Sequence, residues 1–184
     1  MGVRRRTALR TLYLLLFLLL LLPQPALLAQ DEGSGQSDET APEEVAMQTS
    51  YEKEIHEMHA FFQAWFRGEL PDTDEGFARF SQVVSESMVH INPGGTVSEH
   101  TALVDAIRKG YGGWRGQGES WKIEIRNVQL RQDLGNALVV TYEEWQFLGQ
   151  QTRARLSTVV FGKKEGTPNG LEWLHIHEVW MPRR

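Results

Sequence analysis

The sequence predicts an α+β fold, with three helices in the N-terminal half followed by four long antiparallel strands. Two observations predict it. Tyr51, Ile55, Met58, Phe62 and Trp65 recur at three- and four-residue steps, the period of one buried helical face. From Trp121 onward the period changes to two, and polar turns divide the chain into long alternating runs.

The first helix closes at Gly68 and Pro71, and Asp72 or Thr73 can cap a short second one carrying Phe77 and Phe80. Met88–Ile91 reads as a brief strand that stops at the turn Asn92-Pro-Gly-Gly95. Ser98 is placed to cap a third helix, which buries Leu103, Ile107 and Tyr111 and ends at Gly110, Gly112 and Gly113. Trp121, Ile123 and Ile125 alternate with charged residues, whereas Val128 and Leu130 continue in the opposite phase. That change predicts a bulge near Arg126–Asn127. Residues 137–148 and 152–161 form a hairpin around Gly149-Gln150, and 171–181 is the closing strand.

Ahead of this domain the chain has a different character. A basic stretch holding Arg4, Arg5, Arg6 and Arg10 precedes the apolar run Leu12–Leu22, then Pro23 and Pro25, then Ala26–Ala29. This order predicts a signal peptide over residues 1–29. The alternative is an uncleaved membrane anchor. The run is short for a span, which needs about 20 residues, although counting past the prolines to Leu28 narrows the gap. No membrane association is expected after cleavage. Residues 30–50 are acidic and poor in apolar side chains, the composition of a disordered linker. The domain is then 51–184, in a periplasmic or secreted protein.

Charge and composition exclude several functions. Of 19 basic and 24 acidic residues, four arginines lie in the leader and six acids in the linker, leaving a nearly neutral domain. It has no basic stripe to meet phosphates, so nucleic acid is not an expected partner. The chain has no cysteine, hence no disulfide, thiolate nucleophile or thiolate-held metal. Six Trp and eight Phe supply the core that must hold it instead.

Three segments carry a family likeness. His90-Ile-Asn-Pro-Gly-Gly-Thr96, Leu134-Gly-Asn-Ala-Leu-Val-Val140 and Trp173-Leu-His-Ile-His-Glu-Val-Trp180 resemble, in this order, the nuclear transport factor 2-like superfamily. Ketosteroid isomerase and SnoaL-like cyclases share its cone fold. The resemblance covers about residues 51–182. It implies a highly curved antiparallel sheet with the helices on its concave face, a pocket inside the cone, and homodimerisation through the outer sheet face. In the closing segment His177 matches the first His of the family pattern, while Val179 stands at the second and Met181 replaces a Ser. The superfamily contains both enzymes and binding domains.

The hairpin yields the first candidate site. With Gly149-Gln150 at the turn, Glu144 faces Arg155, Tyr142 faces Ser157 and Gln146 faces Arg153, all on one side of the sheet. Such a face either lines a cavity or is a solvated surface with an exposed ion pair. On the closing strand, strict alternation puts Trp173, His175, His177 and Val179 on one face, and Leu174, Ile176, Glu178 and Trp180 on the other. Two His at this spacing can bind a metal if His90 or Glu144 adds a third ligand, but no metal motif accompanies them, and no metal or cofactor is expected. His56 and His59 are expected at the surface or core edge of the first helix.

Three functions remain open. The first is a module binding an unknown, partly apolar small molecule through Arg155, Ser157, His90, His175, Trp173 and Trp121. The second is an isomerase, dehydratase or cyclase with Glu144 or His177 as base and Tyr142 as donor. The third is a homodimeric interaction domain anchored by Trp145 and Trp180.

Overall fold

The computed structural model describes residues 42–182, so the expected signal peptide and most of the acidic linker lie outside the described residues. Helix α1 spans Pro42–Arg67 and α2 spans Asp74–Ser81. Strand β1 (Val84–Ile91) and the short β2 (Val97–Glu99) lead into α3 (His100–Lys109). Four long strands follow: β3 (Trp121–Asp133), β4 (Ala137–Leu148), β5 (Gln151–Lys163) and β6 (Leu171–Trp180). Helix α1 starts within the expected linker, with Pro42 at the first helical position, where its missing N–H is tolerated.

The six strands form one curled sheet in the order β2-β1-β6-β5-β4-β3. Three differences from the expected architecture have local causes. The sheet is mixed rather than antiparallel, because β1 runs parallel to β6. Ser98 is a strand residue instead of a helix cap: Asn92 Oδ1 accepts from the N–H of Gly94 (2.9 Å) and Thr96 (3.0 Å), folding Val97–Glu99 back onto β1. Glu99 then takes the cap position of α3 without a side-chain bond. Strand β1 also begins four residues before Met88. The cap of α2 is Thr73, whose Oγ1 accepts from Gly76 N–H at 3.1 Å.

Helix α1 buries Tyr51, Ile55, Met58, Phe61 and Trp65 against α2 and the inner sheet face, where Leu138, Val140, Val159 and Phe161 meet them. Its C-terminal carbonyls are satisfied by the loop after α3: Gly112 N–H donates to Trp65 O (3.1 Å) and Trp114 N–H to Phe66 O (2.8 Å). Gly112 reaches that position with φ +63°, which favours glycine.

Two irregularities set the direction of the sheet side chains. In β3 the pairing slips between Arg126 and Gln129, and Asn127 takes φ +53°, at the expected bulge. In β6 the partners of Val160 and Phe161 are His175 and Trp173, so Leu174 is an extra residue. An extra residue reverses the faces of everything beyond it. Trp173, Ile176 and Glu178 therefore face inward together, with Trp180 opposite the inward Arg155, while His175, His177 and Val179 face outward.

Candidate functional site

Glu144 and Glu178 are the carboxylates around which the inner face of β4, β5 and β6 is organised, and they are 1% and 4% exposed. Period two in β4 and β5 brings Glu144 opposite Arg155 and Tyr142 opposite Ser157, the expected register. Glu178 faces Ser157 from β6.

Arg155 joins the two carboxylates. Its Nε and Nη2 donate to Glu144 Oε2 at 3.0 and 2.6 Å, and its Nη1 donates to Glu178 Oε2 at 2.9 Å. His59 approaches from α1 with Nε2 3.2 Å from Glu144 Oε2 and Nδ1 2.7 Å from the Ile55 carbonyl. Both ring nitrogens face acceptors, so both must carry protons for the two contacts to be hydrogen bonds. Gln146 donates to Glu144 Oε1 at 2.6 Å. On the other side His90 Nε2 lies 3.1 Å from Glu178 Oε2. The result is a line of five ionisable groups from α1 to β1: His59, Glu144, Arg155, Glu178 and His90.

Electrostatics fix the protonation of the centre. Burial alone would raise Glu144, but the Arg155 charge, the His59 bond and charge, and the Gln146 bond outweigh it and hold the carboxyl well below the usual range. Arg155 is likewise held charged: burial opposes the charge, and Glu144 and Glu178 more than offset it. Burial, then the charges of Glu144 and Glu178, push the Tyr142 phenol far above its ordinary value. Glu144 is thus an ionised carboxylate with both oxygens engaged, a weak base, and Tyr142 is a weak acid. The Ser157 hydroxyl is buried in the same centre, directly across from Tyr142.

Of the nine residues expected in the site, Glu144, Tyr142, Arg155, Ser157 and His90 come together. The other four do not. His177 is exposed on the outer face, because Leu174 reverses the alternation on which its inward placement rested. His175 is half-buried on the same outer face, where burial and then the charges of His177 and His90 lower its affinity for protons. Trp173 is inward but lies farther along the strand, edge-to-face with Phe161 and donating to Glu54. Trp121 is buried at the far end of β3, stacked on Trp114 with ring planes 3° apart.

Residues not anticipated complete the centre. His59 is 5% exposed, whereas a core-edge position was expected from a helix face read without knowledge of what packs on it. Glu178 and Trp180 were assigned to the opposite face for the same reason that misplaced His177. Trp180 pairs with Arg155 across β5–β6, so it no longer stands with Trp145 as an outer-face anchor. Arg155 and His90, with side chains 19% and 13% exposed, are the members through which the line reaches solvent. Among the described residues, no three His, Asp or Glu side chains group as a metal site. A groove of about 500 Å³ opens elsewhere, between Ser81, Val84, His100, Val104 and Lys164, and contains none of the expected site residues.

Comparison with known proteins places this geometry. Residues 51–182 match the family described as sucrose-6-phosphate phosphohydrolase C-terminal. Sucrose-phosphatase 1 of Nicotiana tabacum is 25% identical over 129 residues, which are 70% of this chain and 30% of that protein. The probable sucrose-phosphatase 2 of Arabidopsis thaliana is 27% identical over 127 residues, 69% of this chain and 29% of that protein. The chain therefore spans about 30% of the length of the curated relatives it matches. Among solved structures, an NTF-2 like protein of unknown function from Pseudomonas aeruginosa superimposes with TM-score 0.63 at 26% identity, over 72% of this chain and 99% of that one. The S. rosetta CaMKII hub superimposes with TM-score 0.52 at 12% identity, over 74% of this chain and 95% of that one. The fold is the nuclear transport factor 2-like cone.

Proposed function

The chain belongs to the sucrose-6-phosphate phosphohydrolase C-terminal family, and from that premise we propose that it is an exported, non-catalytic domain that binds a small, partly apolar ligand at the open end of the Glu144–Arg155–Glu178 centre. One observation carries this reading. Arg155 and His90, the more accessible members of the line, converge on Glu178 Oε2 with Trp180 across from Arg155, while Glu144 behind them is fully engaged. A cation, an imidazole and an indole at the partly exposed edge of the centre can give orientation and apolar contact. A carboxylate held ionised by an arginine and a histidine supplies no base, which favours binding over isomerase or dehydratase chemistry. Saccharides are the ligand class to test first, since a hydroxylated ring offers an apolar face to Trp180 and hydroxyls to Arg155 and His90. The curated relatives carry sucrose-phosphatase in their names.

The test is calorimetric titration of the protein with sucrose and with sucrose phosphate, beside an assay for released phosphate. Binding without phosphate release is expected, weakened about tenfold or more by Trp180→Ala or His90→Gln. Turnover of either sugar, or binding indifferent to both substitutions, contradicts the reading.

A second reading, self-association through the outer sheet face, rests on a separate observation. Val179 and Leu156, directly paired across β6 and β5, are 48% and 37% exposed on that face, and Val97 at its β2 border is 59% exposed. Apolar side chains gathered on one face of a sheet are what a partner surface would cover.

A further inference from the structure

Asn169-Gly170 is the one Asn-Gly pair in the chain. It closes the loop between β5 and β6, residues 164–170, and Asn169 is half-buried there against α1. An Asn followed by glycine carries a reaction of its own: the glycine nitrogen can attack the Asn Cγ, because no side chain shields it and its backbone turns freely. At Gly170 that approach is open, since φ is +68° and no atom lies within 4 Å of where a Cβ would stand. Two contacts oppose the reaction in the native loop. Gly170 N–H donates to Thr167 O at 3.1 Å. Asn169 Nδ2 donates to Glu54 Oε2 at 2.7 Å and to Glu57 Oε2 at 2.8 Å, so carboxylates on α1 hold both amide hydrogens. Ser50 Oγ, one turn earlier on the same helix, donates to the Asn169 carbonyl.

We infer that Asn169 is a concealed modification site, kept intact by its clamp on α1 and converted to aspartate or isoaspartate when the clamp opens. The Gly170 nitrogen bonds to Asn169 Cγ, the Cγ–Nδ2 bond breaks, and ammonia leaves with the proton that Gly170 gives up through solvent. Water then opens the cyclic imide at either carbonyl, yielding aspartate or isoaspartate. Water is the only co-reactant, and nothing is oxidised or reduced. The product cannot return to its place. A carboxylate brings no donor to Glu54 and Glu57 and sets a third negative charge beside them. The cations at hand are already engaged: Arg79 with both glutamates, and Lys53 with Glu57. Conversion therefore leaves the loop released from α1 and removes one of the donors that hold the buried Glu54. The fold protects this residue for as long as the helix and the loop stay joined, and one long opening undoes the joint for good.

Peptide mapping by mass spectrometry, on the full chain aged in mildly alkaline buffer with and without urea, tests this by scoring aspartate and isoaspartate at residue 169. Conversion in the folded protein is expected to be about tenfold or more slower than in urea, following how rarely the loop opens. Glu57→Ala removes one half of the clamp at a side chain that is 40% exposed, and should speed the folded-state reaction about threefold or more. Tyr111→Phe, which deletes a hydroxyl bond to the Leu70 carbonyl away from the loop, should leave the rate alone. Equal rates in folded and unfolded chains overturn the inference. So does a Glu57→Ala rate equal to that of the wild type. Rates raised alike in Glu57→Ala and Tyr111→Phe would assign the protection to global stability and overturn it too. Finally, Asn169→Asp should speed amide hydrogen exchange across residues 164–172 about tenfold. Exchange unchanged from wild type would show that the product rejoins α1, and would overturn the one-way release.

Discussion

Glu54 and Glu144 are both buried and both held by an arginine, and they differ in what else holds them. Glu54, on α1, is wholly buried and accepts from Arg79 Nη1 (3.1 Å) and Nη2 (2.8 Å), from Asn169 (2.7 Å) and from the Trp173 indole (2.7 Å). Its partners lie on α2, the β5–β6 loop and β6, so one carboxylate pins four segments together. Glu144 is bound by Gln146 from its own strand, Arg155 from the neighbouring strand and His59 from α1, and its arginine passes on to a second carboxylate that meets a second histidine. The first centre is a joint. The second is a line of charges that ends at solvent, with titratable groups at both ends. Both bury a carboxylate under an arginine that keeps some exposure, 21% for Arg79 and 19% for Arg155, so the centres differ in what the arginine reaches next.

The largest test of that contrast is Glu54→Gln against Glu144→Gln, measured by chemical denaturation. Losing the charge at Glu54 strips Arg79 of its buried partner and should cost about 3 kcal/mol. Losing it at Glu144 should cost less, about 2 kcal/mol, because Arg155 keeps a close bond to the buried Glu178, whereas Arg79 keeps only a longer contact to the more exposed Glu57. Equal losses would mean that Arg155 depends on Glu144 alone.

Acid comes next. The Glu144 carboxyl is depressed in the folded state relative to the unfolded chain, so its contribution is complete above the unfolded value of about 4.3 and is lost as pH falls toward the folded value. Wild-type stability should therefore drop steeply below about pH 4, and Glu144→Gln should flatten that drop. An unchanged acid slope in the variant would place the lost protons elsewhere. The smallest effect expected is for Gln146→Ala, which removes one donor from an already engaged carboxylate. A loss of about 1 kcal/mol is predicted, and a loss as large as that of Glu144→Gln would show that the amide, not the guanidinium, organises the centre.

Much of the second centre was readable before the fold. The hairpin turn at Gly149-Gln150 fixes the β4–β5 register, and Glu144, Arg155, Tyr142 and Ser157 follow from counting by twos. The bulge at Asn127 was likewise marked by a change of phase in apolar residues. Leu174 left no such mark. The alternation Trp-Leu-His-Ile-His-Glu-Val-Trp suits either face on each side of the extra residue, so His177 and Glu178 exchanged places unnoticed. His59 was hidden for another reason: an amphipathic helix reports its buried side, not the carboxylate 85 positions away that it meets there. Glu54 is the extreme case, since Arg79, Asn169 and Trp173 share no local pattern with it. Long-range ion pairs set by tertiary packing have no period.

The chemistry of the centre depends on whether Glu144 is a locked anion or a working base. Carbon NMR of the glutamate carboxyl groups, followed from about pH 7 down to about pH 3 with Glu144→Gln for assignment, answers that directly. Glu144 is predicted to keep the shift of an ionised carboxylate while exposed glutamates titrate around it. A Glu144 signal that titrates at or above the ordinary glutamate value would show a proton available for transfer and would return the site to acid–base chemistry.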